Sequence, residues 1–334
     1  MVLQASEETP SLNFQIETEA VGKRLDAFLS EKIEGWSRAR LQNLINDGDV
    51  LVNEKAAKSS YKLRAEDSVE VELTQVSAEE FQPEEIPLEI VFEDEYLAVI
   101  NKRAGMVVHP GAGVKSGTLA NAVAFHFSLR IADCEFEQSF DEQSKIQNLK
   151  SKIGLVHRLD KDTSGLIVVA KNETVHENLS EQFRNREVFK SYVALVHGEI
   201  SEKSGQIDQP IAREKHNRTK MAIRGHGRKA LSLWKVRKRF EKFTLLNIEI
   251  KTGRTHQIRV HLAFINHGVV GDETYNAGRD NTIKDVTVRK AVKDLGRFFL
   301  HAERLSFTHP KTAERMEFYA PLPKELTDFL ELIK

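Results

Sequence analysis

The residues best suited to chemistry lie in a short polar stretch between two apolar runs. The segment HRLD begins at His157, and the turn residues TSG follow from Thr163. The apolar runs on both sides predict a strand, an exposed loop and a second strand. This loop would present the guanidinium of Arg158 and the carboxylate of Asp160 together. A carboxylate placed in this way is a candidate for acid–base or nucleophilic catalysis.

Two interpretations of the loop are compatible with these residues alone. Asp160 and Asp162 are ordinary turn residues in the first, because aspartate bonds its own backbone two residues further on. In the second, the strands hold Asp160 rigidly over a cleft, since catalytic residues usually lie on loops of a rigid scaffold. A kinase-type catalytic loop is excluded because Leu159 separates Arg158 from Asp160 and the first strand carries no Gly-rich phosphate loop.

Length and composition bound the class of protein. A chain of 334 residues exceeds what one core usually serves, so two domains are expected. The single cysteine, Cys134, excludes an internal disulfide and a cysteine-based zinc site. The first residues, MVLQASEETP, lack the features of a signal peptide, and no apolar run reaches membrane-spanning length. We expect a soluble, cytoplasmic protein without membrane contact.

The charges are segregated along the chain. The formal net charge is only −1, but residues 213–242 contain twelve Lys or Arg against two acids. Residues 66–95 contain twelve acids and no Lys or Arg. Phosphate binding depends on local clusters of charge, so a neutral total does not exclude RNA as a partner. Within the basic stretch, Arg218, Lys220 and Arg228 are predicted to contact RNA phosphates.

The elements around these residues predict an α+β fold. Helical spacing indicates a helix over Leu25–Ile33 and a second one that starts after an N-cap at Ser37 and stops at Gly48. Short strands are predicted at 49–53, 69–73 and 88–100, a further strand at 192–196, and a helix from about Gln257. The chain is expected to end in a strand, a hairpin, another strand and a helix. These many short strands with few helices between them do not form a βαβ series.

Several motifs together resemble one family. The string HRLDKDTSGLIVVAKN resembles the catalytic motif of the RluA-type RNA pseudouridine synthases, and within them the RluD-like branch that modifies bacterial large-subunit ribosomal RNA. The loop VHPGAG is similar to the first family motif, with Arg103 in place of a usual proline. The strand KSYVALVHG, the segment KTGRTHQIR from Lys251, and GDETYN with Asn276 in place of glycine match further motifs.

The resemblance implies a role for each matching residue. Asp160 would act as nucleophile at the sugar or as base on its C2′ proton, and Arg259 would be its charged partner. Tyr192 would stack on the flipped uracil, and Arg158 would take the place of that base in the RNA. The reaction changes neither redox state nor net charge, so no cofactor and no metal are expected.

The resemblance also divides the chain. Residues 15–75 resemble an S4 RNA-binding domain whose second helix would bring Arg38 and Arg40 to the RNA backbone. Residues 76–87 have the composition of an acidic linker, and residues 88–334 would form the catalytic domain, with a long, mostly antiparallel mixed sheet. Residues 127–152 are predicted to be a surface insertion.

The expected function is therefore isomerisation of specific uridines, most simply in large-subunit ribosomal RNA or an assembling ribosomal particle, by a monomer. Two other classes stay open. One is a non-catalytic S4-type RNA-binding or ribosome-assembly protein of the same ancestry. The other is a base-excising or phosphoester-cleaving enzyme that uses the same aspartate.

Overall fold

A computed structural model describes residues 11–33, 38–46, 48–72, 82–110, 114–134, 154–214, 217 and 219–334. The chain divides into two compact units. The first contains the described residues up to 72 together with 114–115, and the second contains the other described residues. The predicted boundaries at 75 and 76 fall in residues 73–81, outside the described part, so the division 15–75, 76–87 and 88–334 stays a prediction.

The first unit packs two helices against a small antiparallel sheet. The strands are β1 (Ser11–Gln15), β2 (Val50–Val52), β3 (Lys55–Ala56) and β4 (Ser68–Glu72), in the order β1-β4-β2-β3. The helices are α1 (Leu25–Lys32) and α2 (Arg38–Asn46). Leucines and a phenylalanine at helical spacing on α1 and α2 form one core with the valines of β2 and β4. Both predicted helices are present, and Ser37 lies outside the described residues.

The second unit is built on one large mixed sheet, which confirms the predicted α+β class. Its strands are β5 (Ile90–Glu93), β6 (Leu97–Lys102), β7 (Gly154–Leu155), β8 (Ser164–Ala170), β9 (Phe189–His197), β10 (Ser204–Asp208), β13 (Leu231–Arg239), β14 (Phe243–Ile250), β15 (Leu300–Thr308) and β16 (Arg315–Tyr319). Their central order is β10-β13-β14-β9-β15-β8-β6-β5, with β7 paired to β8 and β16 to β15. All these pairings are antiparallel except that of β8 with β15. A separate hairpin pairs β11 (Ile211–Arg213) with β12 (Met221–Ile223).

Five described helices accompany this sheet. They are α3 (Leu119–Cys134), α4 (Glu173–Arg184), α5 (Gln257–Phe264), α6 (Val286–Asp294) and α7 (Lys324–Leu332). One apolar core joins α4 to β6, β8 and β15, and another joins α6 and α7 to β9 and β14. The first eight residues of the predicted surface insertion at 127–152 continue α3 as a helix, which the sequence analysis did not predict. Its remainder lies outside the described residues.

The parallel pairing of β8 with β15 depends on a glycine. Gly165 has φ +116°, and a Cβ atom there would lie 2.3 Å from the carbonyl oxygen of Ala302 on β15. Only glycine allows this backbone conformation and this close approach. The turn that follows the HRLD segment is therefore fixed against the centre of the sheet.

Candidate active site

The loop that carries Asp160 connects β7 to β8 and is anchored by a buried lysine. The Lys102 ammonium is 1 % exposed and donates a hydrogen bond of 2.9 Å to the carbonyl oxygen of Lys161. The amide of Gly105 donates to the same oxygen, also at 2.9 Å. Leu159 is buried, and the Asp160 side chain is only 12 % exposed. The prediction of an exposed loop is therefore wrong: the strands are present, but the loop packs against the protein and none of residues 157–163 is fully exposed.

His157, the first residue of the motif, has a structural role. Its Nε2 accepts a hydrogen bond of 3.0 Å from the amide of Val168, and its ring stacks on Phe183 of α4 with the centroids 4.7 Å apart. Burial, with a smaller effect of the Lys190 charge, lowers the pKa of His157 to about 3. The imidazole is therefore neutral and ties the loop to β8 and α4.

Asp160 is paired with an arginine that is itself clamped. Arg259 on α5 donates from Nη1 to Asp160 Oδ2 at 3.2 Å, and from Nε and Nη2 to Asp272 at 2.7 and 3.0 Å. The guanidinium carbon lies 4.2 Å from the ring centre of Phe298 and 5.0 Å from that of Tyr275. The predicted contact of Asp160 with Arg259 is present. Asp272 was not predicted to take part, although it lies in the GDETYN motif.

The charges around Asp160 favour its ionised form. Burial alone would raise the pKa of its carboxyl group. The attraction of His256, Arg259 and Arg158, with the hydrogen bond from Arg259, outweighs that effect and lowers the pKa below its ordinary value. The carboxylate is therefore negative at neutral pH, as a nucleophile or base must be.

His256 belongs to the same cluster and was missed by the sequence analysis. It directly precedes α5 with a left-handed backbone, φ 54°. Its Nδ1 lies 2.8 Å from the hydroxyl oxygen of Tyr275, which accepts a hydrogen bond of 2.7 Å from the amide of Met221 on β12. The signal that could have identified His256 is its position in the RTHQIR motif, directly before the helix that carries Arg259.

Tyr192 and Arg158 lie at the same place. Tyr192 on β9 is 6 % exposed, and burial followed by the negative charge of Asp160 raises the pKa of its hydroxyl above the ordinary value. Arg158 is half-buried. After burial, its charge is the second cause of the lowered pKa of His109 in the VHPGAG loop, and after His256 and Arg259 it contributes to the lowered pKa of Asp160. The structure thus brings together the four residues that the sequence assigned to the site.

The residues predicted to contact the RNA backbone differ in their local contacts. Arg38 on α2 is half-exposed and donates to both carboxylate oxygens of the buried Asp26, at 3.3 and 3.2 Å. Arg24 donates to the same carboxylate at 3.0 and 2.9 Å and was not predicted. The Gln42 amide completes the group at 2.6 Å. The side chain of Arg40 lies outside the described part.

The basic stretch of the second unit is partly used within the fold. Lys220 donates to the carbonyl oxygen of Thr274 at 3.0 Å, and the backbone of Arg228 pairs with that of Ile211. Further basic residues of the stretch bind neighbouring groups, namely Arg224 with Glu214, Arg237 with Glu303, and Arg239 with the carbonyls of residues 200–202. Arg218 lies outside the described residues.

Family models match both units of the chain. The model for RNA pseudouridylate synthase matches residues 96–264, which is 169 of 334 residues. The chain belongs to the RNA pseudouridylate synthase family. This pseudouridine synthase also matches the S4 domain model over residues 23–69, which confirms the predicted S4 resemblance of its first unit.

Relatives of this pseudouridine synthase align along nearly all of its length. An uncharacterised RNA pseudouridine synthase, YlyB, of Bacillus subtilis is 39 % identical over 316 residues, 95 % of this chain and 96 % of the relative. The ribosomal large subunit pseudouridine synthase D of Pasteurella multocida is 39 % identical over 331 residues, 97 % of this chain and 94 % of the relative. The solved structure of human RNA pseudouridylate synthase domain containing 1 is 25 % identical with a TM-score of 0.52, covering 74 % of this chain and 86 % of that one. The synthase is therefore an isomerase by family, and none of its described helices is long and apolar enough to cross a bilayer.

Proposed function

We propose that this synthase converts particular uridines of large-subunit ribosomal RNA to pseudouridine, with Asp160 as the catalytic residue. One observation carries the assignment: a carboxylate that is largely buried yet ionised, held at 3.2 Å by an arginine that a second carboxylate orients. The RNA class follows the relative from Pasteurella multocida, a ribosomal large subunit pseudouridine synthase, which aligns over 97 % of this chain.

The reaction needs one carboxylate and no change of oxidation state. The N1–C1′ bond of uridine breaks and a C5–C1′ bond forms, while the C5 proton leaves and N1 gains a proton. Asp160 serves this sequence either by attacking C1′ as a nucleophile or by removing the C2′ proton as a base. Both roles require the ionised form, which the interactions of Asp160 with His256, Arg259 and Arg158 favour.

The target base must leave its stack to reach Asp160. Flipping a base costs a few kcal/mol, and contacts with the extruded base must compensate for it. Tyr192 is proposed to stack on the uracil, since any base offers a π-face to an aromatic ring. Its raised pKa keeps the hydroxyl neutral across the working pH range. Arg158 is proposed to fill the vacated position in the RNA with its planar guanidinium.

Phosphate contacts are proposed to add affinity without base specificity. Arg38 and Arg40 of the S4-like unit, and Arg218, Lys220 and Arg228 of the catalytic unit, are the candidates. Arg38 supports this role best, because its guanidinium is half-exposed while its orientation is fixed by Asp26.

Asp160→Asn tests the proposal. The variant should form no detectable pseudouridine in large-subunit ribosomal RNA isolated from cells that lack the protein, while its RNA affinity stays close to that of the unchanged enzyme. Asp162→Asn, two residues further on, is the matched control and should retain activity. Pseudouridine formation by pure Asp160→Asn protein would contradict the assignment. Mapping the sites restored by the unchanged enzyme identifies the target uridines, and strand cleavage or free uracil would indicate a different reaction.

We further propose that the enzyme acts as a monomer in the cytoplasm, with an S4-like domain at 15–75, a linker at 76–87 and a catalytic domain at 88–334. The monomer is supported by the site, because one chain supplies Asp160, Arg259, Asp272 and Tyr192. Light scattering during size-exclusion chromatography and cell fractionation check these assignments.

A further inference from the structure

Lys190 is a buried ammonium group without an acidic partner. The residue lies on β9, two positions before Tyr192, and is 9 % exposed. Within the described ranges it forms neither an ion pair nor a side-chain hydrogen bond, and its Nζ lies 5.3 Å from the ring centre of Phe183. Lysine is almost never buried unless it is paired, because burying an isolated charge is unfavourable. Folding alone gives no reason for this charge.

The nearest charged groups make this arrangement less favourable still. Burial is the main cause that lowers the pKa of Lys190 to about 8. Repulsion by Arg254 and Lys251, in the turn after β14, lowers this pKa as well. Lys251 forms an ion pair with Glu249. Three cations from two separate elements, β9 and the turn after β14, therefore converge at this place.

The remaining neighbours do not supply a negative charge. His157, in the loop that carries Asp160, is neutral, since burial and then the Lys190 charge lower its pKa to about 3. Phe183 covers the ammonium from α4. The turn that carries Arg254 approaches closely at Gly253, where a Cβ atom would lie 3.9 Å from Lys190 Nζ. This distance places the turn beside the ammonium.

We propose that Lys190, Arg254 and Lys251 bind an internucleotide phosphate of the substrate RNA next to the target uridine. Residues 190 and 192 lie on the same face of β9, about 7 Å apart along the strand. A phosphate of the nucleotide whose base meets Tyr192 is therefore within reach of Lys190. An RNA phosphate would supply the negative charge that the buried Lys190 ammonium lacks, and its binding would be electrostatic and independent of base identity. The inference rests on the proposed function, because it assumes that the uridine lies against Tyr192 and Asp160.

The pH dependence of RNA affinity distinguishes this role from a structural one. Bound phosphate stabilises the charged form of Lys190, so RNA affinity should be constant below pH 8 and then fall by up to about tenfold per pH unit above it. Lys190→Arg keeps its charge at all these values and should remove this decrease. Lys190→Met should bind at least tenfold more weakly at pH 7 and show no decrease beyond that of Lys190→Arg. All affinities are measured in the Asp160→Asn background, between pH 7 and 9.5, on the ribosomal RNA fragment that the active enzyme modifies.

Stability provides the second measurement. Removing a buried charge without a partner should leave the melting temperature of Lys190→Met unchanged or higher in the absence of RNA, whereas a structural lysine would show a decrease. Lys324→Met, on the exposed side of α7, is the control for loss of one positive charge and should keep both affinity and its pH dependence. Equal pH dependence in Lys190→Arg and the unchanged lysine, or undiminished affinity of Lys190→Met, would overturn the phosphate site. Failure of the unchanged enzyme to form any pseudouridine would instead overturn the proposed function.

Discussion

Asp272 holds Arg259 more firmly than Asp160 does. Two hydrogen bonds, of 2.7 and 3.0 Å, connect the guanidinium to Asp272, and a single one of 3.2 Å reaches Asp160. The bidentate geometry is the strong one for an arginine and a carboxylate. Arg259 is therefore oriented by Asp272 and donates from Nη1 to Asp160.

Replacing Asp272 should loosen this arrangement without removing any proposed catalytic group. Asp272→Asn can accept only one of the two hydrogen bonds, so the Arg259 guanidinium can rotate away from Asp160. A misplacement of about 1 Å near reacting atoms lowers rates by about a hundredfold. We expect such a decrease in the single-turnover rate of pseudouridine formation, with RNA affinity retained. A rate within twofold of the unchanged enzyme would show that Asp272 does not position Arg259.

The charge of Arg259 should set the acid limit of activity. Removing it in Arg259→Met leaves burial, which raises the pKa of Asp160, with less opposition. Because the ionised form is needed, activity should then be lost at a higher pH than in the unchanged enzyme. Single-turnover rates between pH 4.5 and 8 check this direction, and Arg259→Lys, which retains a charge, should show the smaller shift. An unchanged profile for Arg259→Met would contradict the proposed electrostatic role.

Arg158 should need its shape as well as its charge. Arg158→Lys keeps one positive charge but loses the planar guanidinium that can stack in place of the flipped base. We expect weaker extrusion of the uridine and slower turnover, with nearly unchanged affinity. Fluorescence of 2-aminopurine placed beside the target uridine reports the extrusion directly. Equal fluorescence changes for the lysine variant and the unchanged enzyme would indicate that Arg158 does not enter the RNA.

The stability of the S4-like unit should depend on the ionised side chain of Asp26, except at acid pH. Hydrogen bonds from Arg24, Arg38 and Gln42 lower the pKa of this fully buried carboxyl group, and that of Arg24 is the largest cause. A lowered pKa in the folded state gives stability that is present above the unfolded value of about 4 and is lost as pH falls further. Asp26→Asn should therefore cost about 2 kcal/mol of unfolding free energy at pH 7, and the difference should shrink below pH 4.

Calorimetry of the full chain at pH 7, 5 and 3.5 measures this difference. The control is Glu31→Gln, on the same helix as Asp26, which removes an exposed ion pair with Lys23 and should change stability by less than about 0.5 kcal/mol. A loss for Asp26→Asn that is as large at pH 3.5 as at pH 7 would show that the carboxylate charge is not the source of the stability.

Much of the fold was readable from local pattern. The strand predicted at 192–196 lies within β9, the helix predicted from Gln257 is α5, and the final strand, hairpin, strand and helix are β15, β16 and α7. Such patterns are local, since each residue's side is set by the period of its own element. The continuation of helix α3 past residue 127 was not predicted from the sequence, because polar residues interrupt the apolar ones there.

The sequence by itself determined the family and the α+β class, and it pointed to Asp160, Arg158, Tyr192 and Arg259 as candidate site residues, because those residues lie in contiguous motifs. Only the tertiary structure decided what surrounds them. The contact of Asp160 with Arg259 joins residues 99 positions apart. The clamp by Asp272, the burial of the catalytic loop over Lys102 and the convergence of Lys190 with Arg254 likewise depend on how elements from distant parts of the chain pack. Burial and neighbouring charge set the protonation of a group, and both are properties of the packed chain rather than of any short segment.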